Sequence, residues 1–530
     1  MSKQKPQVDL IDFLNNPDNY PHKPTHVHVL QTHASLLAVV PPYVYKIKKQ
    51  VDLGFMDFRS LDSRKENFKR EMELNSRLCA ELYLEIVPIS VKKNYLIFGP
   101  GERIVDYALK MKQLPDGYFL DQLIYKNQAG PEVLDQVMLI LKNFYEQQQG
   151  NSEIEIFGKP SHVQKITDEN FQTLFIYTGA TVESESLEAL SALTRNFLEK
   201  NKNLLEKRIE DKKIKDGHGD LRLEHIHIYN GKICIYDCLE FNDHFRYIDI
   251  ACDIAFLAMD LDFHLRPDLS KYLAEKFSKL IHDPDLLKMM DFYKSYRACV
   301  RAKVESIKYS QPEVPEEQSK ESKDKAQKYL SLAIRYISLG SGPFALMICG
   351  NVGSGKSTIA KKLAELLNIE IISSDIIRKK SEGLPLNKRT NPQDRKSLYS
   401  TLKSEEVYAN ILETAQTHLK NNSSVVIDAT FSKSSFRNKF IQSFSSNSIP
   451  YCFVEMQALD QTTKERLYRR NFTVGVTSDA RLKDYEKLKA AYEPVLEIPQ
   501  EHYLSVSSEM SLSESIVATL KKLGERNFNM

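Results

Sequence analysis

The sequence lacks the long apolar runs that would indicate a membrane or exported protein. No run approaches the roughly eighteen apolar residues that a membrane helix needs, and residues 1–6 are polar rather than part of an apolar signal region. The seven cysteines are scattered, several of them inside apolar runs, which is typical of buried free thiols in a reducing compartment. Cys234 and Cys238 lie close together, but without a second pair they do not indicate a metal or redox site. We expect a cytoplasmic protein with no membrane partner.

A strong charge of either sign is also absent. The chain has 73 lysines and arginines against 71 aspartates and glutamates, and 42% of its residues are hydrophobic. This composition is typical of a folded protein rather than a disordered one. A domain that binds mainly nucleic-acid backbone would be more basic, so we expect no stable nucleic-acid binding. An ATP-dependent enzyme that acts on a nucleic-acid end need not be basic.

At 530 residues the chain is too long for one hydrophobic core. The clearest boundary is the charged, proline-bearing stretch Gln311–Lys320, which lacks apolar periodicity and is predicted to be a linker. A helix-like segment follows it and ends at the glycines and proline of residues 340–343. We therefore predict a first domain at 1–310, a charged linker and connecting helix at 311–341, and a second domain at 342–530.

Each half has its own pattern of secondary structure. Residues 26–50 read as short strands and residues 61–82 repeat apolar positions at helical spacing, which predicts a small strand-rich lobe over about 1–110. A helical large lobe over about 111–310 contains a hairpin signal at Asn230-Gly231. In the second half strands and helices alternate, which predicts an α/β domain with a parallel sheet.

The second half contains a phosphate-binding motif directly after an apolar strand and directly before an amphipathic helix. Its glycines let backbone N–H groups converge on phosphates, Lys356 reaches the β- and γ-phosphates, and the Ser357 hydroxyl can ligate Mg²⁺. The alternative is a glycine turn before an ordinary helix. We assign the nucleotide contacts to Gly350, Asn351, Val352, Gly353, Ser354, Gly355, Lys356, Ser357 and Thr358.

Carboxylates follow two other strands of the predicted parallel sheet. Asp428 ends the run Val425–Asp428 and is a candidate for holding Mg²⁺ through water. Asp375 and Arg378 follow the strand at 369–372, at the edge where such sheets bind ligands. They could accept a hydroxyl proton and grip substrate, or they could be a helix N-cap and an exposed arginine.

Arg466 and Arg470 are predicted to lie on one helix face near the end of the second half. Such arginines can close over a nucleotide and stabilise the transferring charge, and the alternative is a solvated basic face.

These pieces together resemble the P-loop kinases of small molecules and of polynucleotide 5′ ends, including gluconate-kinase-like, zeta-toxin-like and phage-type polynucleotide kinases. The resemblance covers residues 342–525. It implies that ATP and Mg²⁺ are the cofactors, that Asp375 is the general base and that Arg378 positions the acceptor. It also implies that Arg466 or Arg470 belongs to a mobile lid.

In the first half, Asp220 and Asp237 flank the hairpin and could face one site. In phosphoryl transfer Asp220 would orient an acceptor hydroxyl while Asp237 would hold Mg²⁺. The alternative is that both aspartates only cap turns.

A short motif resembles the catalytic loop of aminoglycoside-phosphotransferase-like kinases. It is His218-Gly219-Asp220-Leu221, with a ligand-capable residue five positions after the aspartate. The match extends to Asp237, Asp249, Asp253, Glu71 and residues 45–48. It implies an α+β two-lobed, protein-kinase-like domain in which Lys46 contacts the α/β-phosphates and pairs with Glu71, with Lys48 as the competing choice. His225 stands where the family has its metal-binding asparagine, so the implied metal ligands are His225 and Asp237.

The chain as a whole resembles bacterial bifunctional aminoglycoside-phosphotransferase-like and ATP-binding proteins. The resemblance rests on the order of the two halves and on the segments Asp237–Asp243 and Asp428–Phe431. We therefore expect a tandem ATP-dependent kinase whose acceptor hydroxyl belongs to a small molecule or a nucleic-acid end.

Two alternatives remain open. The first half could be a regulatory or binding module without turnover, since His225 replaces the asparagine and residues 31–35 contain no glycine to cover phosphates. The second half could instead be an ATPase that drives a conformational change without a phosphorylated acceptor.

Overall fold

The computed structural model describes residues 10–32, 34–52, 57–148, 150–386, 388–391, 395, 397–472 and 478–527. The chain forms two compact units, each built from two stretches of sequence. The first unit is Met1–His162 with Asn203–Lys288, and the second is Val163–Lys202 with Met289–Met530. The domain limits at residues 310 and 342 stay predictions.

The strands, in chain order, are β1 His28–Gln31, β2 Ser35–Val40, β3 Tyr43–Lys48, β4 Tyr83–Lys92, β5 Tyr95–Phe98, β6 Arg103–Lys112, β7 Ile214–Asp216, β8 Ile226–Tyr229, β9 Lys232–Ile235, β10 Tyr247–Asp249, β11 Ala345–Cys349, β12 Glu370–Ser373, β13 Val425–Asp428, β14 Tyr451–Gln457 and β15 Tyr503–Ser507. The helices are α1 Leu10–Asn15, α2 Leu61–Cys79, α3 Leu120–Tyr125, α4 Pro131–Gln147, α5 Ser152–Glu155, α6 Pro160–Phe175, α7 Ser184–Lys200, α8 Lys202–Glu210, α9 Ile250–Phe263, α10 Pro267–Leu280, α11 Asp285–Tyr309, α12 Glu316–Leu339, α13 Lys356–Leu367, α14 Ser374–Ser381, α15 Thr401–Lys420, α16 Ser434–Ser446, α17 Asp460–Arg469, α18 Tyr485–Ala490 and α19 Leu512–Asn527.

The first unit begins with an antiparallel sheet in the order β1-β2-β3-β6-β4-β5. Helix α2 packs against this sheet and begins at Ser60, whose side chain accepts a hydrogen bond from the Ser63 N–H. The predicted strands near residues 26–50 and the predicted long helix are confirmed. The predicted hairpin is also confirmed, because Asn230 and Gly231 join β8 to β9 with φ angles of 50° and 72°.

A disulfide between Cys79 and Cys234 corrects our expectation that all seven cysteines are free thiols. Their Cα atoms are 5.0 Å apart although 155 residues separate them in sequence. They meet because the end of α2 packs on β9. Cys238 is a buried free thiol that lies beyond the end of β9.

The second unit contains a parallel sheet in the order β12-β13-β11-β14-β15, which confirms the α/β prediction. All five residues of β11 are buried. A strand covered on both faces needs such a continuous apolar run, which explains why it does not alternate in polarity.

The predicted linker at Gln311–Lys320 is partly wrong, because α12 already begins at Glu316. The charged first turns of α12 do not stop the helix, since its later turns bury an apolar stripe that includes Tyr329, Ala333 and Ile337. The helix ends at Gly340, where φ is 87°.

Among the helices of the described ranges, none is both long and apolar enough to cross a membrane. The cytoplasmic location stays a prediction.

Arg437 on α16 is a buried guanidinium that ties two loops of the second unit together. It is 0% exposed, forms an ion pair with Glu497 and donates to the Phe431 carbonyl at 2.7 Å. It also donates to the carbonyls of Glu493 at 3.2 Å and Pro494 at 3.0 Å.

We expect Arg437→Ala to lower the free energy of unfolding of the second unit by about 3–5 kcal/mol, because it leaves Glu497 and three carbonyls without their donor. Denaturation of the full chain, followed by hydrogen exchange of β13 and β14 amides, measures this loss. Lys489→Ala is the control, since its pair with Asp460 is exposed and contributes little to stability. Equal losses in the two variants would contradict the prediction.

Candidate functional site

The loop between β11 and α13 has a backbone that only glycine adopts easily. Gly350, Gly353 and Gly355 have φ angles of 128°, 78° and 96°. A Cβ atom at Gly350 would lie 2.6 Å from the Met456 carbonyl oxygen. The motif glycines therefore serve both the positive φ angles and the close approach of the loop to β14.

Lys356 starts α13 and is buried behind this loop. Its Nζ donates to the Asn351 carbonyl at 2.7 Å. Burial lowers the pKa of Lys356 from its ordinary value, and Arg470 adds to this, while the charges of Asp428 and Asp375 oppose it. The Lys356 ammonium is therefore a partly desolvated cation beside the loop, where it can bind an anionic ligand.

Asp428 and Ser357 form the part of the site that suits a divalent cation. The register of β13 on β11 pairs Asp428 with Ile348, directly before the loop. Burial raises the pKa of Asp428, although Lys356 and a hydrogen bond from the Ser357 side chain act in the opposite direction. A hydroxyl beside one carboxylate is the donor set that Mg²⁺ uses with phosphate oxygens and water. The buried Ser354 hydroxyl has no hydrogen-bond partner, which leaves it available to a ligand.

Asp375 lies in the first turn of α14, next to the end of β12. The helix is preceded by Ser373, so the aspartate is not its N-cap. Burial raises the pKa of Asp375 and the charge of Asp428 raises it further, while Arg378, Lys356 and a hydrogen bond from the Ser478 side chain lower it. These effects indicate that Asp375 lies near Lys356 and Asp428.

Arg378 is 6% exposed, which rules out the exposed-arginine alternative. Its Nη1 donates to the Leu398 carbonyl at 2.8 Å and its guanidinium lies 4.7 Å from the centre of the Tyr399 ring. Its buried Nε has no hydrogen-bond partner.

The two predicted lid arginines occupy different positions. Burial lowers the pKa of Arg470, and Asp375 and Asp428 oppose this, so Arg470 belongs to the charged pocket. Arg466 donates to the Ser508 hydroxyl at 2.8 Å and to the Ser508 carbonyl at 2.7 Å, beside Gly355. The solvated-face alternative therefore does not fit Arg470.

Sequence reasoning missed three residues that lie near Asp375 and Arg378, namely Ser478, Asp479 and Tyr399. None of the three belongs to a sequence motif. The residues that they contact are distant in sequence, and the spacings between them follow no recognisable pattern.

The first unit brings its predicted residues together as well. Lys46 Nζ lies 2.7 Å from Glu71 Oε1 and 4.0 Å from Asp237 Oδ1. Lys48 binds the same glutamate at 3.0 Å and Glu240 at 2.9 Å, but its side chain is only 2% exposed against 17% for Lys46. Lys46 is therefore the more exposed of the two lysines and the one that approaches Asp237, whereas Lys48 is buried.

His225 lies between the two aspartates of the hairpin region. Its Nδ1 is 2.8 Å from the Asp220 carbonyl oxygen, and its Nε2 is 3.5 Å from Asp237 Oδ2. Arg222 holds the Asp220 carboxylate with two hydrogen bonds of 3.1 and 3.2 Å. Asp237 has a φ angle of 63°, in the left-handed region.

The other residues of the resemblance stabilise this loop. Asp253 accepts hydrogen bonds from the backbone N–H groups of His218 and Gly219 at 2.7 and 3.0 Å. Burial lowers the pKa of His218 to about 4, so the ring is neutral at pH 7 and lies 2.9 Å from the Tyr236 carbonyl. Asp249 instead forms a buried ion pair with Arg208.

Within the described part of the chain, no group of three or more histidine, cysteine, aspartate or glutamate side chains could hold a metal ion alone. Both candidate cation positions are pairs, Ser357 with Asp428 and His225 with Asp237. The first pair offers two oxygen ligands and suits Mg²⁺, which also takes ligands from phosphate and water, whereas the second pair includes an imidazole nitrogen that lies 3.2 Å from the Arg222 guanidinium.

The second unit contains a P-loop nucleotide-binding domain, because a strand, a glycine loop and a helix follow one another in a parallel sheet, with Lys356 at the start of the helix and Asp428 at the end of the neighbouring strand. Residues 346–495 match a family model described as "AAA domain".

Three mycobacterial proteins match most of the chain. They are uncharacterized protein Rv2004c and uncharacterized protein MT2060 of Mycobacterium tuberculosis and uncharacterized protein Mb2027c of Mycobacterium bovis. Each is 31% identical over 405 residues, which cover 76% of this chain and 78% of the relative. The chain belongs to the same family as these three proteins.

Two solved structures match a smaller part. A gluconokinase from Sinorhizobium meliloti is 22% identical over 35% of this chain and 97% of its own, with a TM-score of 0.27. A putative kinase from Chloroflexus aurantiacus is 16% identical over 34% of this chain and 98% of its own, with a TM-score of 0.27.

We expect Glu71→Gln to destabilise the first unit at neutral pH, because two buried lysines lose their shared carboxylate. Burial alone would raise the pKa of Glu71, but Lys46 and Lys48 bring it down to about 2. The stabilisation is therefore complete above the ordinary glutamate pKa of about 4.3 and is lost as the pH falls towards 2. Hydrogen exchange of β3 amides across this range measures it. Glu85→Gln, at an exposed pair with Lys110, is the control, and a difference from wild type that stays constant down to pH 2 would contradict the prediction.

Proposed function

We propose that the protein is an ATP-dependent phosphotransferase whose P-loop domain transfers the γ-phosphoryl group of ATP to a hydroxyl acceptor. One observation carries the proposal: Asp375 and Arg470 lie near Lys356 and Asp428 beside the glycine loop, close enough for these charges to shift one another's pKa values. A nucleotide-binding site alone needs the loop, Lys356 and Asp428. The additional carboxylate and arginine are what a transfer reaction requires.

Each residue has a role that follows from its position. The glycine loop and Lys356 bind the β- and γ-phosphates, and Ser357 with Asp428 would hold Mg²⁺, which neutralises phosphate charge when bound. Asp375 accepts the proton of the acceptor hydroxyl as its oxygen attacks the γ-phosphorus and the bond to ADP breaks. Arg470 stabilises the charge on the transferring group, and Arg378 positions the acceptor.

A second candidate function is kinase activity of the first unit. The contacts of Lys46 with Glu71 and Asp237 support a nucleotide site there, with Asp220 to orient an acceptor and His225 with Asp237 to hold a cation. The bidentate contact of Arg222 with Asp220 supports the alternative, because it occupies the carboxylate that would accept a proton. In that alternative the first unit binds a nucleotide or partner and regulates the P-loop domain.

Label transfer from γ-labelled ATP to a mixed library of hydroxyl acceptors tests these assignments in the full chain. We expect Lys356→Ala to abolish transfer by the P-loop domain, because the phosphates lose their buried cation. Lys362→Ala, on the exposed side of the same helix, should behave as wild type. Label lost from ATP without any labelled acceptor would indicate an ATPase and contradict the proposal.

The same assay decides the role of the first unit. If Asp220→Asn removes a product that Lys356→Ala leaves intact, both units transfer phosphate. If Asp220→Asn changes no product, the first unit is a regulatory or binding module. Asp211→Asn, at an exposed aspartate near the end of α8, is the matched control.

The rate of transfer should fall at low pH with the protonation of Asp375. Only the carboxylate form accepts the hydroxyl proton, and burial raises the pKa of Asp375. The acid limb of the pH–rate profile should therefore lie above the ordinary aspartate pKa of about 3.9. Asp375→Asn should remove transfer at every pH while nucleotide binding persists. A rate that stays constant down to pH 4 would exclude Asp375 as the base.

A further inference from the structure

Asp479 is a buried carboxylate of the second unit that the proposed reaction does not use. It is 1% exposed and accepts hydrogen bonds from the Thr390 N–H at 2.7 Å and from the Thr390 hydroxyl at 2.6 Å. Lys379 Nζ, which is also buried, lies 3.7 Å from Asp479 Oδ1, the oxygen that accepts from the Thr390 N–H. Three donors from α14 and from the segment after it therefore converge on one side chain.

The same carboxylate reaches Tyr399, whose hydroxyl donates to Asp479 Oδ2 at 3.4 Å. The Tyr399 ring covers the Arg378 guanidinium at 4.7 Å, while 41% of the residue remains exposed. One side of Tyr399 is thus fixed by Asp479 and Arg378, and the other side is open to a ligand.

The neighbouring residue, Ser478, donates a hydrogen bond from its side chain to Asp375. Two consecutive residues therefore contact both the candidate base and its neighbours. Ser478 binds Asp375, and Asp479 binds Thr390 and Tyr399.

We propose that Asp479 is a positioning residue for the acceptor side of the P-loop site, and that Tyr399, held by Asp479, contacts the acceptor beside Asp375 and Arg378. The proposal rests on the proposed phosphotransferase function. It adds Tyr399 and Asp479 to the acceptor site, although neither residue belongs to a sequence motif.

The charge of Asp479 matters because its partners are buried. Replacing it by asparagine removes the counter-charge of Lys379, whose remaining contact is the Lys388 carbonyl at 2.6 Å. The loss stays local, because Arg395 still binds Asp484 at 2.6 Å and Arg389 still donates to the Arg470 carbonyl at 2.7 Å. The expected result is a loosened Tyr399 in a folded domain.

A fluorescence experiment reports on Tyr399 without any acceptor. The chain contains no tryptophan, so Tyr399→Trp introduces a single tryptophan at this position, and its indole N–H can donate to Asp479 in place of the Tyr399 hydroxyl. In the full chain, adding Asp479→Asn to Tyr399→Trp should shift the emission to the red and raise the acrylamide quenching constant. Asp460→Asn, at an exposed aspartate that binds Tyr485 and Lys489, should leave both unchanged. Identical emission and quenching with and without Asp479→Asn would overturn the proposal.

A second experiment keeps the native tyrosine, in case the tryptophan variant does not fold. Thr390→Val removes one donor to Asp479, and hydrogen exchange over residues 397–404 measures the loosening. Asp479→Asn should increase exchange over this segment more than Thr390→Val does, because Asp479 also binds Tyr399 and Lys379. Unchanged exchange in Asp479→Asn would overturn the proposal.

Label transfer with the acceptor library diluted stepwise separates positioning from nucleotide binding. Asp479→Asn should raise the acceptor KM about tenfold, which corresponds to the loss of one hydrogen bond to a charged group. The KM for ATP should stay unchanged. Equal changes in both constants would overturn the acceptor-side role. If no acceptor is labelled by wild type, the phosphotransferase proposal fails, while the fluorescence result still decides whether Asp479 holds Tyr399.

Discussion

The parallel pairing of β13 with β11 and β12 is the constraint on which the P-loop site depends. It aligns three strand ends, because Asp428 is opposite Ile348 on one side and Ser373 on the other. The glycine loop follows the first of these neighbours and Asp375 follows the second. A shift of one residue would turn the Asp428 side chain to the opposite face of the sheet. The buried apolar runs on both faces hold this register, so the chemistry of the site rests on apolar packing.

Burial favours the neutral form of each of the four charged groups beside the glycine loop, so the acids Asp375 and Asp428 have raised pKa values while Lys356 and Arg470 have lowered ones. In the first unit the balance is different, because Lys46 and Lys48 bind Glu71 directly and stabilise its ionised form. The two candidate sites therefore differ in whether the protein itself stabilises the ionised form of its buried acid.

Residues that are contiguous in sequence could be predicted from it. The glycine loop and Asp428 were found because a strand, a turn and a helix follow one another, and the hairpin was found because Asn230-Gly231 suits its turn. Lys46 and Glu71 were found through a family resemblance, and the choice over Lys48 needed the burial of each side chain. The disulfide of Cys79 with Cys234 could not be predicted, since 155 residues separate the partners.

The helical start of α12 and the partners of Asp479 show two further limits. The charged residues that follow Glu316 have the composition of a linker. They are helical because the apolar stripe in the later turns of α12 is buried. Asp479, Thr390 and Tyr399 meet only after the second unit has folded, and no spacing along the chain indicates that they do.

Helix α7 has a consequence for how the protein can be divided. It lies in the sequence between the two stretches of the first unit, yet it packs on α12 and α19 of the second unit. Gly524 of α19 approaches Leu193 of α7 so closely that a larger residue would not fit there. A gene fragment that begins at residue 342 would lack both α7 and α12 and would expose the apolar side of α19. A fragment that begins at residue 342 therefore does not contain the whole of the second unit.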